Sequence, residues 1–141
     1  MNDNRSFIDT NIYAYSFDKS EEVKCKIAGK LIESLCGSSN AVISYQVIQE
    51  FYNLATGKFK DKLIHEDVGY FVKKIMHPYC EIFSSFELFD HALEISQRYK
   101  YGYYDSLIIA ASIRSNCKFL YSEDLQDGQV IEGVEIVNPF I

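Results

Sequence analysis

The chain has only two prolines, Pro78 and Pro139, and no repeat, low-complexity tract or linker-like stretch. These absences argue against disorder and against several domains. Its 141 residues, 48% hydrophobic and 15% aromatic, are enough for one domain (1–141) with a sizeable core. No apolar run approaches the roughly 20 residues needed to span a bilayer. The opening Met1-Asn2-Asp3-Asn4-Arg5 lacks the basic-then-apolar order of a signal sequence. A cytoplasmic protein with no membrane attachment is therefore expected. Cys25, Cys36, Cys80 and Cys117 form no C-x-x-C pair, and His65, His77 and His91 show no ligand spacing with them. Reduced, partly buried thiols are expected, rather than disulfides or a zinc site. Cations are also scarce: the net charge is -6 and no Lys or Arg follows Lys118. That balance argues against a non-specific, high-affinity nucleic-acid binder. The exception is a basic stretch containing Lys58, Lys60, Lys62, Lys73 and Lys74.

What is present is an alternation of short apolar strands with helix-like segments. Residues 6–9 read as a strand, with a turn from Ile12 to Tyr15 beyond it. Ser20 is placed to cap a helix in which Val23, Ile27, Leu31 and Leu35 recur every four residues and Gly37 ends the run. Residues 41–43 form a second strand. Ser44 is placed to cap a helix whose apolar face is Val47, Ile48, Phe51, Leu54 and Ala55. A basic turn at 57–61 leads to a helix over 65–76, stopped by Pro78. A third strand follows at 80–83. Ser85 starts a helix reaching about Gln97, with Leu88, Ala92, Leu93 and Ile95 inward. Residues 105–115 are apolar nearly all round, which predicts a central helix packed on more than one side. Residues 119–121 and 134–137 are the last two strands. The alternation predicts a parallel sheet covered by helices on both faces.

Four acids sit beside these apolar segments. Asp9 closes Ser6-Phe7-Ile8, Glu50 lies inside a helical pattern, Asp105 opens the central helix, and Asp124 follows Phe119-Leu120-Tyr121-Ser122. Each has an ordinary reading when taken singly. Asp9 suits an Asx-turn, Glu50 a solvated helix face with Gln46 and Asn53, Asp105 a helix start, and Asp124 a polar loop. Taken together, Asp9, Asp105 and Asp124 fall on the rim where open parallel sheets bind ligands. Carboxylates brought together there repel one another and need a cation to share. An all-oxygen set suits Mg2+ or Mn2+, and such ions support phosphodiester chemistry. Thr10, Asn11 and Ser122 are placed to orient the acids or water. Tyr99, Tyr101, Tyr103 and Tyr104 read either as rings at a core edge or as stacking surfaces for bases.

The stretches Phe7-Ile8-Asp9-Thr10-Asn11-Ile12, Ser44-Tyr45-Gln46-Val47-Ile48-Gln49-Glu50-Phe51, Tyr104-Asp105-Ser106-Leu107-Ile108-Ile109-Ala110-Ala111 and Tyr121-Ser122-Glu123-Asp124-Leu125-Gln126-Asp127-Gly128 resemble those of PIN-domain ribonucleases. More narrowly, they resemble the toxin of a VapBC-type toxin–antitoxin pair. Ile136-Val137-Asn138-Pro139-Phe140 resembles the end of one PIN subgroup. The resemblance covers essentially the whole chain. It implies a three-layer α/β/α sandwich around a five-stranded parallel sheet, a Mg2+ or Mn2+ site and RNA cleavage. It also implies an antitoxin partner and a homodimer. Asp9, Glu50, Asp105 and Asp124 match the catalytic acids position by position, with Asp9, Asp105 and Asp124 the metal ligands. Asp127 stands near a further acid or histidine of some members. The lysines from Lys58 to Lys74 are the candidate RNA contacts, and they read equally well as an ordinary solvated helix–turn surface.

Two rival enzymes of related architecture fit less well. A receiver-type phosphoacceptor domain wants a Lys near the end of its last strand, and none follows Lys118. A haloacid dehalogenase-type phosphatase wants Asp-x-Asp after its first strand, where this chain has Asn11. The alternative from another class is a non-catalytic PIN-like module that binds RNA or protein. An inactive descendant has no need to keep four mutually repelling acids.

Overall fold

The computed structural model describes residues 4–59 and 63–141. Its first strand, β1 (Ser6–Ile8), is fully buried, as a short apolar strand in the middle of a sheet must be. Strands β2 (Ala41–Ser44), β3 (Cys80–Ile82), β4 (Phe119–Tyr121) and β6 (Val134–Val137) run parallel to it. A two-residue strand, β5 (Val130–Ile131), pairs antiparallel with β6 at the sheet edge. The order is β3-β2-β1-β4-β6-β5. The expected five-stranded parallel sheet is thus present, with one short strand added.

The helices are α1 (Thr10–Tyr15), α2 (Glu22–Gly37), α3 (Tyr45–Asn53), α4 (His65–Phe71), α5 (Phe86–Tyr99) and α6 (Tyr103–Arg114). Helix α3 runs on into a π-helical turn, Leu54–Lys58. Helix α4 likewise continues into a π turn at Val72–Met76 and a 3-10 turn at His77–Tyr79 that contains Pro78. The connections β1 to β2 and β2 to β3 step in one direction across the sheet, and β3 to β4 steps back. Right-handed crossovers therefore put α1 to α4 on one face and α5 and α6 on the other. Helix α1 packs on α2 and α3, and α5 packs on α6, in keeping with that division. The core joins both layers through Phe7, Ile8, Val42, Ile43, Phe51, Ile95, Ile109, Leu120 and Ile136.

Several local expectations change. Residues 10–15 form a helix rather than a turn, because the Asp9 carboxylate accepts the Thr10 N–H and starts α1. Ser20 does not cap α2; its hydroxyl and N–H go to Asp18, and the helix begins after Glu21. Ser44 occupies the N-cap of α3 but makes no side-chain cap bond, whereas Ser85 accepts the Leu88 N–H as expected. Val23 and Leu93 face solvent, while Ala28 and Ile32 fill the inner face of α2. The basic turn is the helical continuation at Leu54–Lys58. Phe59 follows that turn, and residues 60–62, with Lys60 and Lys62, lie outside the described residues.

Candidate active site

Strand β1 lies between β2 and β4, and the chain steps from β1 toward β2 but from β4 toward β6, in opposite directions across the sheet. A crevice opens at the carboxyl ends of strands around such a switch point. Asp9 is the residue after β1 and sits there, only 5% exposed. Asp124 is in the loop after β4, Glu50 is in the middle of α3, and Asp105 is in the first turn of α6. All four line one cleft of about 530 Å3, together with Thr10, Asn11, Gln46, Asn53 and Lys58. The polar stripe Gln46, Glu50 and Asn53 is thus a wall of this cleft. Asp105 does not cap its helix: Gly102 holds that place. Among the described residues nothing donates a hydrogen bond to its carboxylate.

Short polar side chains hold three of the acids. Thr10 N–H and the Ser122 hydroxyl each donate to Asp9, both at 2.7 Å. Ser122 Oγ also accepts the Asp124 N–H at 3.1 Å, so one hydroxyl links the Asp9 carboxylate to the Asp124 backbone. The Thr10 hydroxyl donates to Glu50 at 2.6 Å, and Gln46 Nε2 donates to Glu50 at 3.3 Å and to the Tyr104 carbonyl at 3.2 Å. Asn11 Nδ2 donates to Asp124 at 3.0 Å, and its Oδ1 accepts the Glu123 N–H at 3.4 Å. Burial is the largest influence on Asp9. Against the pull of Ser122 and Thr10, and with Glu50 and Asp124 adding repulsion, it lifts this carboxyl to a pKa of about 7. Asp105 is raised too, by burial first and then by Asp124 and Glu50. The acids therefore sense one another across a shared space.

The PIN domain family profile matches residues 6–126, and that span contains every residue of this cleft. The chain belongs to the PIN domain family. No curated protein sequence matches it. Among solved structures, it is similar to a toxin–antitoxin complex from Klebsiella pneumoniae, at 19% identity and a TM-score of 0.66, covering 95% of this chain and 97% of that one. It is also similar to Mycobacterium tuberculosis VapC20, a sarcin-ricin loop cleaving toxin, at 16% identity and a TM-score of 0.62, covering 84% of this chain and 89% of that one. At these identities the likeness is one of fold.

The cleft of this PIN domain fits a hard divalent cation in its donor chemistry. Its acids offer only oxygens, Asp105 has no hydrogen-bond donor among the described residues, and Asp9 gains protons because burial and neighbouring acids oppose its ionisation. No three His, Cys, Asp or Glu side chains among the described residues are gathered into a group that could by itself hold a metal ion. Mg2+ does not require one, since it keeps several waters and is usually held by one or two carboxylates.

Three candidates do not reach the cleft. Asp127 is exposed, and its carboxylate accepts the Asn138 N–H at 2.8 Å, tying down the end of β6 instead of an acid of the cleft. Lys73 and Lys74 are exposed on the π turn after α4, whereas Lys58 lines the cleft. A group that sequence reasoning passed over is also there. Glu123 lines the cleft, ion-paired to Lys24 at 2.6 Å and accepting the Tyr15 hydroxyl at 2.6 Å. Burial pushes this carboxyl up, but Lys24 and Tyr15 outweigh it and hold the group below its ordinary range. The separation of 99 positions between Lys24 and Glu123 explains why no local pattern revealed the pair.

Proposed function

We propose that this PIN domain is a Mg2+- or Mn2+-dependent endoribonuclease that hydrolyses RNA phosphodiester bonds as the toxin of a toxin–antitoxin pair. The reading rests on one observation above the rest: Asp9 and Asp124 after two central strands, Glu50 on α3 and Asp105 on α6, 115 positions apart at the extremes (124 − 9), line the same cleft. The toxin part is supported by two fold relatives that are, respectively, a toxin and a toxin–antitoxin complex.

Asp9, Asp105 and Asp124 are the residues that would hold the ion. When bound, it would supply a lowered water pKa and stabilisation of charge on the phosphodiester oxygens. The chain's own part is placement and proton handling. Ser122 and Thr10 fix both oxygens of Asp9, so the carboxylate enters the cleft already oriented. Asn11 does the same for Asp124. Glu50, gripped by Thr10 and Gln46, is assigned the role of base toward the attacking water. Lys58 brings positive charge to a cleft whose other charged lining residues are acids, where RNA must approach against a net charge of -6. An antitoxin would quench this negative potential with an Arg or Lys seated among the carboxylates. A homodimer is the expected assembly.

The test is RNA cleavage by the purified protein with Mg2+ or Mn2+, with chelator, and by an Asp9→Asn variant of equal purity. Cleavage is expected with metal, none with chelator, and a loss of at least roughly 100-fold in the variant. Native-like cleavage by Asp9→Asn would overturn the reading. It would leave a binding module with an adventitious acid cluster.

A further inference from the structure

The four tyrosines near the start of α6 part company in the structure. Tyr99 and Tyr101 pack against the core, and the Tyr101 hydroxyl donates to Gln129 at 2.6 Å and accepts the Gln126 N–H. They are structural. Tyr103 and Tyr104 are not: they are 40% and 67% exposed, and Tyr104 lines the acid cleft beside Asp105. The two rings meet edge-on, with centroids 5.2 Å apart at 66°. That contact holds the Tyr104 ring from one side while most of the residue stays open to solvent. Gln46 fixes the backbone below it by donating to the Tyr104 carbonyl as well as to Glu50.

We infer that Tyr104 is the surface on which the substrate base next to the cleaved phosphate stacks, making it a specificity-determining residue of the cleft. The inference rests on the ribonuclease reading and extends it. The charge of the site favours this occupant. Around Tyr104 the cleft presents Asp105, Glu50 and Asp124, which repel a phosphate that no ion shields. A flat neutral base is the part of a nucleotide that such a wall accepts, and a supported aromatic ring is what it stacks on. Lys58 lines the same cleft and, among the described residues that line it, is the cation available to a neighbouring phosphate. A base inside a duplex cannot reach the ring without leaving its stack.

The experiment titrates short single-stranded oligoribonucleotides carrying 2-aminopurine into the native protein and into Tyr104→Phe, Tyr104→Trp and Tyr104→Ala. Chelator is present so that binding is read without cleavage. Native, Phe and Trp forms are expected to bind alike and to quench the probe. The Ala form should bind roughly 5- to 150-fold more weakly without quenching, and a duplex of the same sequence should compete poorly against all of them. Equal affinity and quenching by Tyr104→Ala would overturn the role of the ring. So would a loss of affinity accompanied by a change from dimer to monomer in sedimentation, since the ring would then serve a protein contact along Phe86, Phe89 and Tyr103. If the native protein cleaves RNA and only the ring proves dispensable, the stacking inference fails alone. If the native protein neither binds nor cleaves RNA, the ribonuclease reading fails with it.

Discussion

An aspartate buried as deeply as Asp9, with two acids nearby, costs the metal-free protein stability whenever it is ionised. The group titrates near 3.8 in the unfolded chain and at about 7 in the fold, so between those values the native state binds more protons. Stability of the metal-free protein therefore falls as pH rises through that window and levels off above it. Asp105, also raised, works in the same direction. Thermal unfolding in chelator is expected to give a higher midpoint near about pH 5 than near about pH 7.5. Asp9→Asn should flatten that difference and be the more stable form at the higher pH. An unchanged slope in the variant would show that Asp9 is not the group responsible. Ser122 is the second residue to test, because its hydroxyl serves both Asp9 and the Asp124 N–H. Ser122→Ala leaves both without their partner and is expected to cost about 1–3 kcal/mol in urea unfolding, with slower cleavage because the two acids lose their relative placement.

At the scale of elements, α3 carries the site and an aromatic cluster behind it on adjacent residues. Glu50 faces the cleft, and the fully buried Phe51 meets the rings of Tyr13, Phe17, Phe59 and Phe71 within 5.4–6.3 Å. Phe51→Ala is expected to lose about 3–5 kcal/mol of stability in chemical denaturation, with cleavage lost because α3 no longer holds Glu50 in place. The β5–β6 hairpin turns on Glu132 and Gly133, both at positive φ (46° and 89°), the two-residue turn that suits the twist of its strands. Gly133→Ala should cost about 1–2 kcal/mol and leave the metal-dependence of cleavage intact, since the turn is remote from the cleft residues. These elements also mark what the sequence disclosed. The five parallel strands were legible because each is a short apolar run between turn signals. Helix α1 was not, since Thr-Asn-Ile-Tyr-Ala-Tyr has weak helix propensity and forms through the Asp9 cap and its packing on α2 and α3. Strand β5 was missed because two residues carry no period.

For the molecule as a whole, the positions of the acids were readable and their connections were not. Asp9, Glu50, Asp105 and Asp124 stand out as polar residues at apolar elements. The bonds Thr10–Glu50, Ser122–Asp9 and Asn11–Asp124 span 40, 113 and 113 positions and exist only through the parallel pairing of the central strands. Lys24 with Glu123 was hidden for the same reason, and Asp127 was misleading because an acid near the motif serves the chain end instead. The charge of the molecule adds an expectation of its own. Neutralising Lys58, Lys73 and Lys74 should weaken RNA binding and lower the salt slope by about one for each phosphate deprived of its lysine. Unchanged affinity would put the RNA path elsewhere. The central claim, that Asp9, Asp105 and Asp124 share a cation on which cleavage depends, is tested most directly by titrating Mn2+ into the native protein and its Asp9→Asn variant while following both bound ion and RNA cleavage. In the native protein, binding and cleavage should rise together over the same Mn2+ range, and in Asp9→Asn both should shift to much higher concentration or vanish. Equal Mn2+ binding by the two proteins, or cleavage that does not follow occupancy, would contradict it.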